Sequence, residues 1–319
     1  MAPPVDVLVA VGAPGNAEYA EIFERQVDGW REACRRGARE IAVLSPATKE
    51  ALEAALVGAV AEESADPLWI IFVGHGTFDG REAKFNLEGD DATPSEVADW
   101  LGGAARPIVF INTTASSAPF LHALSGADRV VVTATKDASE ASFAHFGKFL
   151  AAAVADSEAD LDQDGATSLL EAFLVASRRT QAFFEADRRL ASEEAMIDDN
   201  GDGRGTLAKA FDGLLSTQEA ATAETERLPR LPDGVRAHQI SLVPSDDEAG
   251  RSPEWKADRD RLELELFALR NRKDELEEQI YLGELESVLV KLADLYLDGQ
   301  VGGEEAGDGD QENGGAANP

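Results

Sequence analysis

The chain has 319 residues, of which 44% are hydrophobic and 28% charged, a composition typical of a globular protein that buries a sizeable core. Its formal net charge is −32 and its sequence pI about 4.3, so nucleic acid and anionic membranes are not expected as partners, because an acidic surface repels both. The single cysteine, Cys34, excludes an internal disulfide and a thiolate metal cluster.

The compartment is left open by the sequence. No apolar run approaches the roughly 20 residues that a membrane-spanning helix needs. The chain opens with MAPPVDVLVAVG and passes directly into an apolar run, so we expect a soluble chain without a signal peptide. An extracytoplasmic location stays open if a signal was trimmed.

Residues 1–156 alternate apolar strands with amphipathic helices. Strands are predicted over 5–11, 40–44, 68–73, 107–111 and 129–135, helices over 18–36, 48–63 and 94–100, and a small hairpin arm at 83–87. This order predicts an α/β fold, namely a three-layer, doubly wound, mostly parallel sheet with right-handed crossovers. Ligands bind such sheets at the carboxyl ends of the strands, so the residues that follow each strand matter most.

Residues 160–171, DLDQDGATSLLE, match a complete EF-hand-like calcium loop, with predicted helices over 142–156 and 168–190 on either side. Carboxylates stand at positions 1, 3 and 5, glycine at 6, a hydroxyl at 9 and glutamate at 12, which is the spacing that wraps oxygens around Ca²⁺. The alternative is an acidic, solvated turn. The expected ligands are Asp160, Asp162, Asp164, the carbonyl of Ala166, Ser168 through a water, and a bidentate Glu171.

A second acidic loop, residues 198–203, matches only the first half of a calcium loop. Its candidate ligands are Asp198, Asn200 and Asp202, but Lys209 stands at position 12, where a bidentate carboxylate is needed. The loop either binds a second cation weakly, or donates oxygens to a neighbouring site, or is an Asx-rich turn. Residues 157–227 therefore form a predicted helical extension that carries both loops.

The remainder of the chain divides into three segments. Residues 228–253 are rich in proline and polar side chains and predict a linker, with a strand over 237–243. Residues 254–298 predict a helical hairpin or coiled coil that turns at Gly283, because Leu262, Leu269 and Leu276 lie seven apart. This hairpin either packs on the main domain, dimerises or docks a partner. Residues 299–319 predict a disordered acidic tail.

Two strand ends carry side chains suited to catalysis. His75 lies between glycines at the end of the third predicted strand, and the fourth strand is followed by hydroxyl side chains. His75 as a base with Thr114, Ser116 or Ser117 as nucleophile is a plausible arrangement for a hydrolase. The alternative for His75 is a loop histidine in a tight turn.

Over roughly residues 5–150 this pattern resembles the caspase/legumain-like cysteine peptidases, clan CD, with the caspase-haemoglobinase fold. In that family one strand ends in His-Gly, as at His75, and the next leads to the catalytic cysteine, where this chain has Thr114. Residues 22–28, IFERQVD, look like the start of legumains, with Glu24 at the place of a specificity arginine. Residues 129–142 resemble the substrate-wall segment. The resemblance implies a degenerate, bacterial-type member without a thiolate nucleophile.

These observations predict a calcium-binding, catalytically inactive caspase/legumain-like domain that acts as a binding or regulatory module. An extended peptide or a protein partner is expected in the groove or on the helical hairpin. One alternative is an active hydrolase that uses a hydroxyl of Thr114, Ser116 or Ser117 with His75. The other is a calcium-stabilised structural protein whose sheet domain has no ligand. Calcium is the expected cofactor, and the oligomeric state stays open.

Overall fold

The structure is a computed structural model that describes residues 5–140, 142–218 and 231–301. It consists of two compact units, of which the first ends at Ala249 and the second begins at Gly250. Residues 157–249, which carry both acidic loops, belong to the same unit as the predicted sheet.

The first unit contains eleven strands and seven helices in its described residues. The strands are β1 (Val7–Val11), β2 (Ile41–Leu44), β3 (Leu68–Val73), β4 (Gly76–Phe78), β5 (Ala83–Phe85), β6 (Ile108–Asn112), β7 (Arg129–Thr133), β8 (Met196–Asp198), β9 (Thr206–Leu207), β10 (Phe211–Asp212) and β11 (Leu215–Ser216). The helices are α1 (Ala17–Gly37), α2 (Lys49–Val60), α3 (Pro94–Trp100), α4 (Ala118–Leu124), α5 (Phe146–Ala153), α6 (Leu169–Ala186) and α7 (Val235–His238). Short 3₁₀ turns lie at Ser157–Ala159 and Ala208–Ala210.

A seven-stranded sheet organises this unit, in the order β2-β1-β3-β6-β7-β8-β9. The strands from β2 to β7 run parallel, whereas β8 is antiparallel to β7 and β9 is antiparallel to β8. The predicted α/β fold with a mostly parallel sheet is therefore confirmed. The two antiparallel strands were not predicted, because three and two residues are too few to show an alternating pattern.

Helices cover both faces of the sheet, so each central strand is buried on both sides. In β1, Val7 and Val9 belong to the core under α1, α5 and α6, while Leu8 and Ala10 belong to the core under α2, α3 and α4. Burial on both faces explains why the central strands are continuous apolar runs rather than alternating ones. The sheet is thus a rigid support for the residues at its carboxyl edge.

Two local predictions in this unit are corrected by the structure. The predicted strand over 237–243 is wrong at its start, because α7 occupies Val235–His238 and only Ser241 forms an isolated bridge, with Ser168. The carboxylate of Asp199 accepts the backbone N–H groups of Gly234 and Ala237, which stabilises this helical turn from a distant part of the chain. The predicted helix over 142–156 is shorter, at Phe146–Ala153.

The second unit is a helical hairpin of α8 (Pro253–Asn271) and α9 (Glu278–Val301), joined through a 3₁₀ turn at Lys273–Glu275. The indole N–H of Trp255 donates to the carbonyl of Leu295 at 3.0 Å, so the start of α8 lies beside the end of α9. The predicted turn at Gly283 is wrong: α9 continues through it, since one glycine costs a helix only about 1 kcal/mol.

Parts of three predicted segments lie outside the described residues: the helical extension at 219–227, the linker at 228–230 and the acidic tail from 302 onward. Among the described helices, none is both long and apolar enough to cross a bilayer.

Candidate functional site

The first acidic loop brings three carboxylates together. Asp160, Asp162 and Asp164 each place one oxygen within 4.8 Å of the others, so the group could hold a metal ion. Backbone N–H groups hold these carboxylates in position: Asp160 accepts from Gln163 at 2.7 Å and from Gly165 at 3.0 Å. Gly165 has φ +93°, a left-handed conformation that suits glycine at the sharp turn. The predicted triad is therefore assembled on one side of the loop.

Electrostatics make this triad costly without a cation. Burial raises the pKa of Asp162 above its usual value, and the negative charges of Asp164 and Glu171 raise it further. His238 provides partial compensation, with its Nε2 3.4 Å from a carboxylate oxygen of Asp162. A bound divalent cation would remove the repulsion directly.

Glu171 stands at the twelfth position of the loop and at the same time lies in the first turn of helix α6. One of its carboxylate oxygens accepts the backbone N–H groups of Leu161 at 2.6 Å and Asp162 at 3.2 Å. The other accepts both the backbone N–H and the hydroxyl of Ser168, each at 2.8 Å. Ser168 in turn accepts the N–H of Glu171, which completes a capping box at the helix start. Glu171 is 1% exposed, so its position is fixed by packing as well.

A distant segment packs against the loop. The N–H of Leu169 donates to the carbonyl of Ile240 at 2.7 Å, beside the bridge between Ser168 and Ser241. Sequence reasoning missed this segment and His238, because the partners are about 70 residues apart and no periodic pattern links them. A cation in the loop would therefore also anchor residues 238–241.

The second acidic loop repeats the hydrogen bonds of the first loop position by position. Asp198, at position 1, accepts the N–H groups of Gly201 at 2.9 Å and Gly203 at 2.8 Å. Asn200 and Asp202, at positions 3 and 5, each accept an N–H two residues further on, at 2.8 and 2.7 Å. The first loop has the same bonds at positions 1, 3 and 5. The predicted candidates Asp198, Asn200 and Asp202 thus adopt the same hydrogen-bonded loop geometry as Asp160, Asp162 and Asp164.

The strand-end histidine sits in an aromatic pocket. The ring of His75 packs against Tyr19, Phe23 and Phe143, with centroid distances of 4.4, 5.2 and 5.7 Å. Its Nε2 lies 3.3 Å from the carbonyl of Pro14, which can only accept, so we assign the proton to Nε2. Burial lowers the pKa of His75, which favours the neutral ring at neutral pH.

The hydroxyls after β6 are turned into the protein. Thr114 is 1% exposed and donates to the side-chain oxygen of Asn112 at 2.7 Å. Ser117 pairs with the hydroxyl of Thr135 at 3.1 Å. Ser116 is 1% exposed and has φ +52°, and its buried hydroxyl has no hydrogen-bond partner among the residues that the structure describes. Within the described residues, none of these three hydroxyls is hydrogen-bonded to His75.

Neighbouring strands do bring the two motifs to one edge of the sheet. Strand β3, which precedes His75, pairs in parallel with β6, and Phe72 lies opposite Asn112. The remaining thiol is elsewhere: Cys34 is 1% exposed on α1, and burial raises its pKa to about 12. A thiol held in its protonated form is a poor nucleophile, so Cys34 is not a candidate catalytic residue.

No protein-family model matches this chain, and neither does any curated protein. Among solved structures, the chain is similar to caspase-1 from Spodoptera frugiperda, with a TM-score of 0.42 and 9% sequence identity over 61% of this chain and 85% of that one. At this level the similarity assigns neither a family nor an activity to the chain. The chain itself is a mixed α/β protein with a mostly parallel sheet and an acidic triad that could hold a metal ion. These features are the basis for inferring its function.

Proposed function

We propose that this chain is a calcium-binding protein whose caspase/legumain-like sheet domain is catalytically silent and acts as a binding or regulatory module. The observation that carries the proposal is the loop in which Asp160, Asp162 and Asp164 hold three carboxylate oxygens within 4.8 Å of one another. Glu171 lies at the position that supplies a bidentate ligand in such loops.

The chemistry of the donors favours calcium over other divalent metals. The available groups are carboxylates, a backbone carbonyl at Ala166 and the hydroxyl of Ser168, all of them hard oxygen donors. Zinc prefers nitrogen and sulfur ligands in a tetrahedral arrangement, and magnesium prefers a near-ideal octahedron that keeps several waters. A loop that offers many oxygens in a flexible arrangement suits calcium best.

A cation in this position joins separate elements of the fold. It neutralises the repulsion between the triad and Glu171, whose carboxylate caps α6. Through Ser168 and Leu169 the loop also holds the 240–241 segment. We therefore assign the cation a bracing role behind the sheet, with signalling as a further possibility of the same site.

Catalytic silence rests on the strand-end geometry. A hydroxyl nucleophile needs a base within hydrogen-bond reach, whereas the hydroxyl of Thr114 is buried and bonded to Asn112. His75, held by Pro14 and three aromatic rings, remains half-buried at the edge where an extended peptide would bind. The groove at the sheet edge beside His75 and Thr114 is one proposed surface for a peptide or protein partner. The α8–α9 hairpin is the other.

Thermal unfolding with and without calcium tests the metal site. Calcium added to chelator-treated protein is expected to raise the melting temperature, since a ligand at one hundred times its Kd stabilises the folded state by about 2.7 kcal/mol. Glu171→Gln is expected to weaken the rise, and Glu158→Gln, an exposed glutamate beside the loop, to leave it unchanged. A melting temperature that is the same in chelator and in calcium would refute calcium binding at this loop.

A peptide-library cleavage assay, with and without calcium, tests whether the sheet domain is catalytically silent. The native chain is expected to cleave nothing, and cleavage gained only by Thr114→Cys would show that the groove is intact. Cleavage by the native chain that is abolished by His75→Ala would overturn the proposal in favour of a hydroxyl-dependent hydrolase.

A further inference from the structure

We propose that residues 198–206 form a second divalent-cation site, which Asp233 completes in place of the carboxylate that the loop lacks at its twelfth position. This inference rests on the proposed calcium-binding function for the class of cation, and it adds a ligand from a separate segment of the chain.

Asp233 occupies in the second loop the place that Glu171 occupies in the first. One oxygen of Asp233 accepts the N–H groups of Asp199 at 3.0 Å and Asn200 at 3.3 Å, the second and third loop positions. The other accepts the hydroxyl of Thr206, the ninth position, at 2.7 Å. Glu171 accepts the N–H groups of the same two positions and the hydroxyl of the same ninth position. The two carboxylates are therefore equivalent in their loops.

Burial and charge favour a positive partner for the carboxylates of the second loop. Asp233 is 3% exposed and Asp198 is 1% exposed, yet no Lys, Arg or His in the described part of the chain lies within ion-pair distance of either. A buried carboxylate is costly unless it is paired or coordinates a metal. A cation in the loop supplies the missing charge.

The local fold explains why the closing carboxylate comes from a different segment. After position 9 the chain continues as β9 and a 3₁₀ turn, whereas the first loop continues into helix α6. Lys209, at position 12, is instead ion-paired with Glu194 at 2.6 Å. The twelfth position therefore does not turn back to the loop.

Helix α7 holds Asp233 in position. Asp199 accepts the N–H of Gly234 at 3.0 Å and that of Ala237 at 2.7 Å, which fixes the start of α7 against the loop. Because the backbone of Asp233 is held close to the second loop, an aspartate side chain is long enough to reach the loop. The first loop needs the longer side chain of a glutamate at the equivalent place. Sequence spacing did not reveal this residue, because about 30 residues separate it from the loop.

Isothermal titration of the chelator-treated full chain with calcium tests the inference. The native chain is expected to bind two ions, and Asp233→Asn and Glu171→Gln are each expected to bind one. Asp212→Asn, which removes the charge of an exposed aspartate near the second loop, is the matched control and is expected to bind two. Asp202→Ala removes a less buried ligand together with its side-chain oxygen and is expected to bind one.

Far-UV circular dichroism establishes that each variant is folded, and if Asp233→Asn is unfolded, the titration of Asp202→Ala decides. One ion in the native chain that is lost in Glu171→Gln but kept in Asp233→Asn would overturn the second site and leave the proposed function standing. One ion that is kept in Glu171→Gln but lost in Asp233→Asn would support the second site and refute the first. Absence of calcium binding would overturn both.

Discussion

The substitution Glu193→Gln is expected to remove a pH-dependent cost in stability. Glu193 is 4% exposed, and its carboxylate accepts the N–H of His145 at 2.8 Å and that of Phe146 at 3.1 Å, at the start of α5. Burial raises the pKa of Glu193 to about 7, although these two N–H groups favour the charged form. The negative charge of Glu140 raises the pKa further.

The sign of the effect follows from where the proton is bound. Between pH 4.5 and about 7 the folded chain keeps the proton of Glu193, whereas the unfolded chain has released it. The contribution of Glu193 to stability is therefore fully present below pH 4.5 and is lost as pH rises through about 7. The difference between the two pKa values corresponds to roughly 3 kcal/mol as an upper bound. A glutamine does not ionise, so its contribution does not change with pH.

Urea unfolding of the native chain and of Glu193→Gln across this pH window measures the effect. Saturating calcium keeps the acidic loops in one state, so that the difference in the free energy of unfolding between the two proteins reports the ionisation of Glu193. The free energy of unfolding of the native chain is expected to fall relative to the variant by up to about 3 kcal/mol as pH rises. Glu53→Gln, at an exposed position on α2, serves as the control. A difference that is independent of pH would refute the reasoning.

Three further outcomes are expected from the packing. Gly76→Ala would place a Cβ 2.0 Å from the carbonyl oxygen of Ala115, so urea unfolding should show a free energy of unfolding lower by about 1–3 kcal/mol. Gly58→Ala is the control, because Gly58 lies in a helix with open space around it, and it should leave the free energy of unfolding unchanged or raise it. Phe110→Ala, at a side chain 1% exposed in the sheet core, should cost about 3–5 kcal/mol in the same assay, and a loss below about 1 kcal/mol would contradict the packing. The thiol of Cys34 should react with a thiol reagent only on unfolding, and rapid labelling of the folded chain would contradict its burial.

Local patterns in the sequence predicted the sheet and the grouping of three carboxylates in the first loop. The central strands are buried on both faces, so they appear as apolar runs, and the candidate ligands of residues 160–171 are spaced within one short segment. The predicted site residues Asp160, Asp162 and Asp164 are brought together by the structure. In both cases the information lies within a few neighbouring residues.

Contacts between distant segments could not be predicted in the same way. Asp233 and Ile240 approach the loops from far along the chain, and β8 and β9 are too short to show a period. The sequence also predicted that His75 and Thr114 lie at one edge of the sheet. It did not predict the direction in which the Thr114 hydroxyl points. That direction is set by Asn112, whose side-chain oxygen accepts both the hydroxyl and the backbone N–H of Thr114.

The short outer strand β9 has a consequence for self-association. An exposed sheet edge offers unpaired N–H and C=O groups to a strand of another molecule, and a two-residue edge offers very few. Thr206 lies in this strand and is hydrogen-bonded to Asp233, so the edge and the second loop are held together. We expect chelator to loosen this edge and to raise light scattering in concentrated solution, and unchanged scattering would contradict this expectation. A cation bound in the proposed second site would then protect this edge of the sheet against aggregation.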